Sequence, residues 1–170
     1  AEIGLNHNGD IKLAKKLVLQ AKKAGANAVK IQTYKKGRVS KKVRTSRYYE
    51  DLVDAQENIS DQLDKVILTK NDTKELFKYC KKINIQIFST PFDIESLNFL
   101  ESIDCEAYKI SSMDVVNTPL ISEIAKTKKP IIISSGMSDI SEINSAIKTI
   151  LSMDNNQIIL LHCVSSYPCP

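Results

Sequence analysis

Short runs of apolar, β-branched residues alternate along this chain with longer amphipathic segments that carry Lys and Glu. Runs of the first kind are typical of buried strands and segments of the second kind of surface helices, so the alternation predicts βα units and a parallel sheet. We predict six strands, near residues 2–5, 28–33, 85–90, 107–111, 130–135 and 158–164.

Six βα units suit either an open doubly wound sheet or most of a (β/α)8 barrel, which takes about 250 residues. No GxGxxG fingerprint follows the first predicted strand, where the sequence reads GLNHNGD, and this counts against a dinucleotide-binding doubly wound domain. We therefore predict an α/β fold of the TIM-barrel class, with residues 1–170 forming one N-terminal barrel domain. Because about two units are missing, we expect a fragment.

The helical segments carry recognisable start and stop signals. Asp10 is placed to cap the first helix and Gly25 to end it, and Thr118 is placed to cap a later helix whose first turn contains Pro119. Other helices are predicted near residues 71–83, 93–103 and 139–152.

Residues 34–70 form a long insertion after the second predicted strand, and such insertions are usually functional. The stretch 35–47, KKGRVSKKVRTSR, has many basic residues and no acid. We interpret it as a solvated loop that steers anions, because no aromatic platform or nucleic-acid-binding module accompanies it. The residues after it predict a helix.

Composition and residue spacing bear on the cellular location of the protein and on the state of its cysteines. The net charge is +4, no apolar stretch approaches the roughly 20 residues that span a membrane, and no leader is visible, so we expect a cytoplasmic protein. The spacing of Cys80, Cys105, Cys163 and Cys169 fits no zinc site, which predicts reduced thiols. His162 and Cys163 are adjacent on a strand and would point to opposite faces, so they make a poor chelate.

Polar residues follow all six predicted strands. In a parallel α/β fold the carboxyl ends of the strands lie on one face, where active sites form, so the pattern predicts a bowl lined by hydroxyl and amide groups. The groups are Asn6-His7-Asn8, Gln32-Thr33, Ser89-Thr90, Ser111-Ser112, Ser134-Ser135 and Ser165-Ser166.

Two lysines, Lys30 and Lys109, lie in the middle of apolar runs. With a period of two they share strand faces with small or polar neighbours, which predicts that they point into the barrel. A buried ammonium without a counter-ion costs several kcal/mol, so each lysine needs a protein carboxylate or a bound anion. Glu2, inward on the first strand, is placed to pair with one of them.

Six motifs carry a resemblance to a known family: AEIGLNHNGD, AVKIQTY, IFSTPFD, AYKISSMD, IIISSGMS and LLHCVSSYPCP. In this order and spacing the chain resembles the N-acetylneuraminate (sialic acid) synthase family. The resemblance implies a TIM-barrel enzyme that condenses phosphoenolpyruvate with an N-acetylated hexosamine, either N-acetylmannosamine or a bacterial diacetamido analogue. The product would be a nine-carbon 2-keto sugar acid, formed with release of phosphate.

The resemblance also implies roles for individual residues. Phosphoenolpyruvate would be bound by Lys109, Ser112 and Ser134, with Lys30 and Thr90 meeting its anionic groups. Sugar-side or pocket-organising positions would be taken by Glu2, Gln32, Phe92 and Tyr167. Ser165 stands where the family has a substrate-contacting Asn. Asp114 stands where the family has a catalytic carboxylate, but this chain reads SMD where the family reads SGE, so Met113 replaces a glycine. Glu2 and Asp114 are the catalytic candidates.

The resemblance places further parts outside this chain. It implies a divalent metal, Mn²⁺ or Mg²⁺, bound by two histidines in the last barrel strands, and an arginine from the C-terminal antifreeze-like domain of a homodimer partner. Neither His7 nor His162 matches a ligand position, so we assign no metal ligands here. We expect the isolated chain to be inactive.

Two other interpretations stay open. Lys109 or Lys30 would be the nucleophile if the protein were a Schiff-base aldolase, because mid-strand lysines of barrels serve this role. A non-catalytic or nucleic-acid-binding module would instead use residues 35–47.

Overall fold

A computed structural model describes residues 1–38 and 59–166. Within these ranges one sheet contains six parallel strands in the order β1-β2-β3-β4-β5-β6. The strands are β1 (Glu2–Gly4), β2 (Ala28–Thr33), β3 (Gln86–Pro91), β4 (Tyr108–Ile110), β5 (Ile131–Ser134) and β6 (Ile158–Leu161). A doubly wound sheet reverses its strand order at a switch point, whereas this sheet adds every strand on the same side. The predicted α/β fold, part of a (β/α)8 barrel, is confirmed.

Six helices connect or flank the strands in the described ranges. They are α1 (Ile11–Lys23), α2 (Ile59–Lys65), α3 (Lys70–Lys82), α4 (Ile94–Glu101), α5 (Thr118–Lys126) and α6 (Ile140–Ser152). The predicted helices are confirmed to within a few residues, and α2 confirms part of the helix predicted in the insertion. Most of the basic stretch 35–47 lies outside the described residues, so its role stays a prediction.

The capping residues fix the helix starts. The Asp10 side chain accepts a hydrogen bond from the Lys12 amide at 2.7 Å, as predicted for α1. The predicted Thr118 cap is wrong by one residue, because the Asn117 side chain accepts from the Leu120 amide and Thr118 already begins α5. Both residue types cap helices well, so the sequence alone did not separate them.

The helices cover one face of the sheet. Val29 and Ile31 of β2 are buried with Val18 of α1 and Leu76 of α3, and in a second cluster Tyr108 and Ile110 of β4 are buried with Ile121 and Ile124 of α5. The alternation along β2 therefore turns Lys30 and Gln32 to the opposite face, as predicted. None of the helices in the described ranges is long and apolar enough to cross a membrane.

Candidate functional site

Lys30 and Glu2 form an ion pair on the inner face of the sheet. They are register partners on β1 and β2, and Lys30 Nζ lies 2.5 Å from Glu2 Oε2. Lys30 Nζ also donates to Thr90 Oγ1 at 3.3 Å, on the next strand. The structure thus brings together three predicted site residues, and Glu2 is the carboxylate that we expected beside one of the lysines.

Lys109 is more deeply buried than Lys30. Its side chain is buried, and Nζ donates to the carbonyl oxygen of Ile110 at 2.5 Å. No carboxylate of the described ranges forms an ion pair with it. Burial, and then the positive charge of Lys30, lower the pKa of Lys109 to about 8. The arrangement favours a bound anion as its partner.

Two hydroxyl groups, from residues that follow β4 and β6, converge on Gly136, which follows β5. A Cβ at position 136 would lie 2.7 Å from Ser165 Oγ and 2.9 Å from Ser112 Oγ, so only glycine leaves both hydroxyls in place. Ser134, at the end of β5, is also buried. Gly136 was not among the predicted site residues, although a lone glycine among the serines of IIISSGMS was a usable signal.

Asp114 ends the short 3₁₀ turn Ser112–Asp114 that follows β4. Its carboxylate accepts from the Ser111 hydroxyl at 2.5 Å and from the Asn117 side-chain amide at 3.4 Å. In the described part of the chain these hydrogen bonds stay within its own loop, and none joins it to Glu2 or to either lysine. The geometry shows a turn-stabilising carboxylate, and its catalytic role stays a prediction.

Two further predicted positions, Gln32 and Phe92, lie at the carboxyl ends of β2 and β3. Gln32 is the register partner of Thr90, so the two face the same side of the sheet. Phe92 follows β3, and its backbone amide donates to the carbonyl of Thr33 at 3.1 Å. Its ring meets the Tyr34 ring edge-on, with centroids 6.1 Å apart. Tyr167 lies outside the described residues.

His7 is a buried residue that the sequence singled out only as part of a polar strand end. Its Nδ1 accepts from the Gly9 amide at 3.1 Å, whereas the buried Nε2 atom has no hydrogen-bond partner. Burial lowers the pKa of His7. In the ranges 1–38 and 59–166, no three His, Cys, Asp or Glu side chains are grouped to hold a metal ion, so these residues do not fit a Mn²⁺ or Mg²⁺ site.

The cysteines of the described ranges, Cys80, Cys105 and Cys163, are free thiols, as predicted. Burial raises the pKa of Cys80 to about 12 and that of Cys105 to about 11. Neither buried thiol is an available nucleophile at neutral pH, because the thiolate is the reactive form.

Comparisons with known proteins identify the family of this chain. A family model described as the NeuB family matches residues 17–170. The chain is 39% identical to an N,N'-diacetyllegionaminic acid synthase of Campylobacter jejuni, over all of this chain and 52% of that protein. It is 37% identical to a pseudaminic acid synthase of Helicobacter pylori, over 99% of this chain and 50% of that protein.

A solved structure shares the fold over the whole chain. It is an N-acetylneuraminic acid (sialic acid) synthetase from Leptospira borgpetersenii in complex with citrate, with a TM-score of 0.84 and 34% identity. All of this chain aligns with 55% of that structure. The chain therefore spans about half the length of the relatives that it matches.

Proposed function

The chain belongs to the NeuB family, and we propose that the whole protein condenses phosphoenolpyruvate with an N-acetylated hexosamine, forming a nine-carbon 2-keto sugar acid and releasing phosphate. The sugar would be N-acetylmannosamine or a diacetamido analogue. Relatives named as N,N'-diacetyllegionaminic, pseudaminic and N-acetylneuraminate-9-phosphate synthases support this class of reaction.

One observation carries the proposal. Lys109 is a buried cation beside Lys30, and no carboxylate of the described ranges pairs with it. Glu2 pairs with Lys30, so Lys109 is the charge that stays unfavourable unless a further anion joins it, and phosphoenolpyruvate supplies both a carboxylate and a phosphate. That the Leptospira relative was solved in complex with citrate is consistent with anion binding in this family.

The residues of this chain would then bind and orient the anion. Lys109 and Lys30 would neutralise its carboxylate and phosphate, with Ser112, Ser134 and Thr90 donating from their hydroxyls. Glu2 would hold the Lys30 ammonium in register through their ion pair. Gln32, Phe92, Ser165 and Tyr167 would form the sugar side of the pocket.

In the proposed reaction, C3 of phosphoenolpyruvate attacks the sugar aldehyde, and a new C–C bond forms while the aldehyde oxygen takes a proton. Water adds to the cationic C2, and phosphate departs with cleavage of the C–O bond. Glu2 is the stronger candidate for proton transfer, because its carboxylate meets Lys30 inside the site. Asp114 is the weaker candidate, since its hydrogen bonds lie within its own loop.

We propose the remaining parts from the family resemblance. Residues 1–170 would be the N-terminal part of the synthase barrel, followed by the last barrel strands and an antifreeze-like domain. The enzyme would be a cytoplasmic homodimer without nucleic-acid or membrane partners. It would use Mn²⁺ or Mg²⁺ bound by residues outside this chain, so we derive no step through the metal. Loss of turnover in EDTA, restored by either ion, tests that dependence.

The decisive experiment uses the full-length protein and phosphoenolpyruvate labelled with ¹⁸O at the bridging oxygen. We expect phosphate release that requires both phosphoenolpyruvate and the amino sugar, with the label in the phosphate. Label retained in the sugar acid would indicate P–O cleavage and would contradict the mechanism. Phosphate release without the sugar would contradict the condensation.

A Schiff-base aldolase is the second candidate, because a lysine whose pKa is lowered to about 8 is a better nucleophile than an ordinary lysine. Borohydride treatment in the presence of pyruvate separates the two functions. A reduced adduct on Lys109 or Lys30 would favour the aldolase. We expect no adduct, because the synthase reaction needs no covalent lysine.

A further inference from the structure

Strand β1 is irregular beside the ion pair of Glu2 and Lys30. Glu2 is the register partner of Lys30, whereas Gly4 is the register partner of Ile31, so two steps along β1 match one step along β2. A β-bulge has this two-to-one count and is rare between parallel strands. Bulges next to active sites re-aim side chains, and this one begins at the residue whose carboxylate meets Lys30.

Gly4 has the backbone conformation that favours glycine. Its φ is +53°, in the left-handed region that residues with a Cβ rarely adopt. The preceding residue, Ile3, is buried in the same core cluster as Val18 and Leu76. The outer face of β1 is therefore packed against the helices, and Glu2 and Gly4 share the inner face.

The Glu2 side chain lies over Gly4. A Cβ at position 4 would lie 3.0 Å from Glu2 Oε1, 3.6 Å from Cδ and 3.7 Å from Cγ. The first of these distances is shorter than an ordinary van der Waals contact. The other carboxylate oxygen, Oε2, lies 2.5 Å from Lys30 Nζ. Moving Oε1 away from a Cβ would therefore turn or shift the carboxylate against the ammonium.

Position 4 connects the bulge to the ion pair. We propose that Gly4 is a positioning residue, because the missing Cβ lets the Glu2 side chain fold across β1 and places its carboxylate on Lys30. The inference rests on the proposed function, in which Glu2 is the stronger candidate for proton transfer. A misplacement of about 1 Å can cost about a hundredfold in rate, so a smaller shift of this carboxylate also slows the reaction.

Two substitutions in the full-length protein separate the backbone of Gly4 from its missing Cβ. Both alanine and asparagine add a Cβ, but asparagine tolerates a positive φ better. We therefore expect Gly4→Ala and Gly4→Asn each to lower kcat about tenfold, and Gly4→Ala to lower the melting temperature further than Gly4→Asn. Gly25→Ala is the matched control, because Gly25 has a φ of +90° with open space where a Cβ would lie. It should leave kcat unchanged.

A second measurement follows the ion pair without turnover. The Lys30 side chain is 15% exposed, so acetic anhydride can reach its amine. We expect Lys30 to be acetylated about threefold faster in both Gly4 variants than in the wild type, because the amine is no longer held by a carboxylate. Mass spectrometry of the peptide that contains Lys30 measures the rate. Glu2→Ala gives the rate without the partner, and adding Gly4→Ala to it should cause no further increase.

Three outcomes would overturn the inference. Wild-type kcat and acetylation in Gly4→Asn would show that only the backbone conformation of Gly4 matters. A fall in kcat with an unchanged acetylation rate would show that Gly4 does not act through the ion pair. A further increase in acetylation when Gly4→Ala is added to Glu2→Ala would show an effect on Lys30 that does not pass through Glu2.

The two measurements also separate this inference from the proposed function. A wild type that consumes no phosphoenolpyruvate with any amino sugar would contradict the proposed function, whereas the acetylation rates would still decide whether Gly4 places Glu2 on Lys30. Circular dichroism verifies that each variant is folded. Gly4→Asn carries the test if Gly4→Ala does not fold.

Discussion

Lys109 illustrates at the residue scale how a site group lowers the stability of the fold that carries it. Burial, and then the charge of Lys30, lower its pKa from an ordinary value of 10.5 to about 8. This difference corresponds to about 3 kcal/mol by which the buried ammonium lowers the free energy of unfolding at neutral pH. A ligand that supplies a negative charge recovers part of that free energy.

We predict that Lys109→Met raises the free energy of unfolding at pH 7 by about 1–3 kcal/mol and abolishes stabilisation by phosphoenolpyruvate. Between pH 8 and 10.5 the unfolded wild type binds more protons than the folded wild type. The stability of the wild type therefore rises with pH in this range, and that of the variant does not. Denaturant titrations at several pH values measure both. Lys30→Met is the control: it leaves Glu2 without its partner, so no gain is expected. A variant less stable than the wild type at pH 7 would contradict the account.

His7 gives a prediction for acidic pH, whereas that for Lys109 concerns alkaline pH. Burial lowers its pKa from 6.5, so below that pH the unfolded chain takes up a proton that the folded chain does not. Stability is therefore lost as the pH falls below about 6.5. We expect His7→Asn to lose less stability than the wild type between pH 7 and pH 5, measured by thermal melting. His162→Asn, at an exposed position, should follow the wild type, and equal acid sensitivity of all three proteins would rule out this role of His7.

At the scale of elements, the loop after β5 and the C-terminal end of α1 show two different reasons for a glycine. Gly136 is crowded by the hydroxyls of Ser112 and Ser165, and Gly25 has a φ of +90° with open space where a Cβ would be. Gly136 leaves room for the two hydroxyls, whereas Gly25 adopts the left-handed backbone conformation that ends α1.

Alanine substitutions should separate these two roles. Gly136→Ala pushes the serine hydroxyls aside, so we expect a KM for phosphoenolpyruvate raised at least tenfold with little change in melting temperature. Gly25→Ala strains the backbone, so we expect a loss of about 1 kcal/mol in unfolding free energy with unchanged kinetics. Steady-state kinetics and denaturant titration of both variants give the comparison. The same effect of both substitutions on KM would show that Gly136 does not shape the site.

The elements also show which features of the fold and the site could be predicted from the sequence. The period-two pattern of AVKIQT placed Lys30 on the inner face, and the polar strand ends placed the site, because both follow from local chemistry. The convergence on Gly136 was not predictable in this way. It depends on how three separate loops approach each other, and no local pattern encodes that approach.

At the scale of the whole molecule, β6 is the last strand of the sheet within the described ranges. Ile159, Leu160 and Leu161 of this strand are 52%, 47% and 38% exposed, in contrast to the buried residues of β4. An apolar strand with an unpaired edge is a site for further pairing, either with more of the same chain or with another chain. The relatives are about twice as long as this chain, which is consistent with the first of these.

We predict that residues 1–170, produced alone, release no phosphate from phosphoenolpyruvate and an amino sugar, whereas the full-length protein does. Ile159, Leu160 and Leu161 of β6 are exposed, and the chain spans only about half the length of its relatives, so we expect the pocket to need the remaining part of the protein. A phosphate-release assay on the two proteins at equal concentration measures this. The isolated chain should still bind phosphoenolpyruvate weakly through Lys30 and Lys109, seen as a rise in melting temperature that Lys109→Met removes. Turnover by the isolated chain would show that the first six strands hold the complete catalytic apparatus.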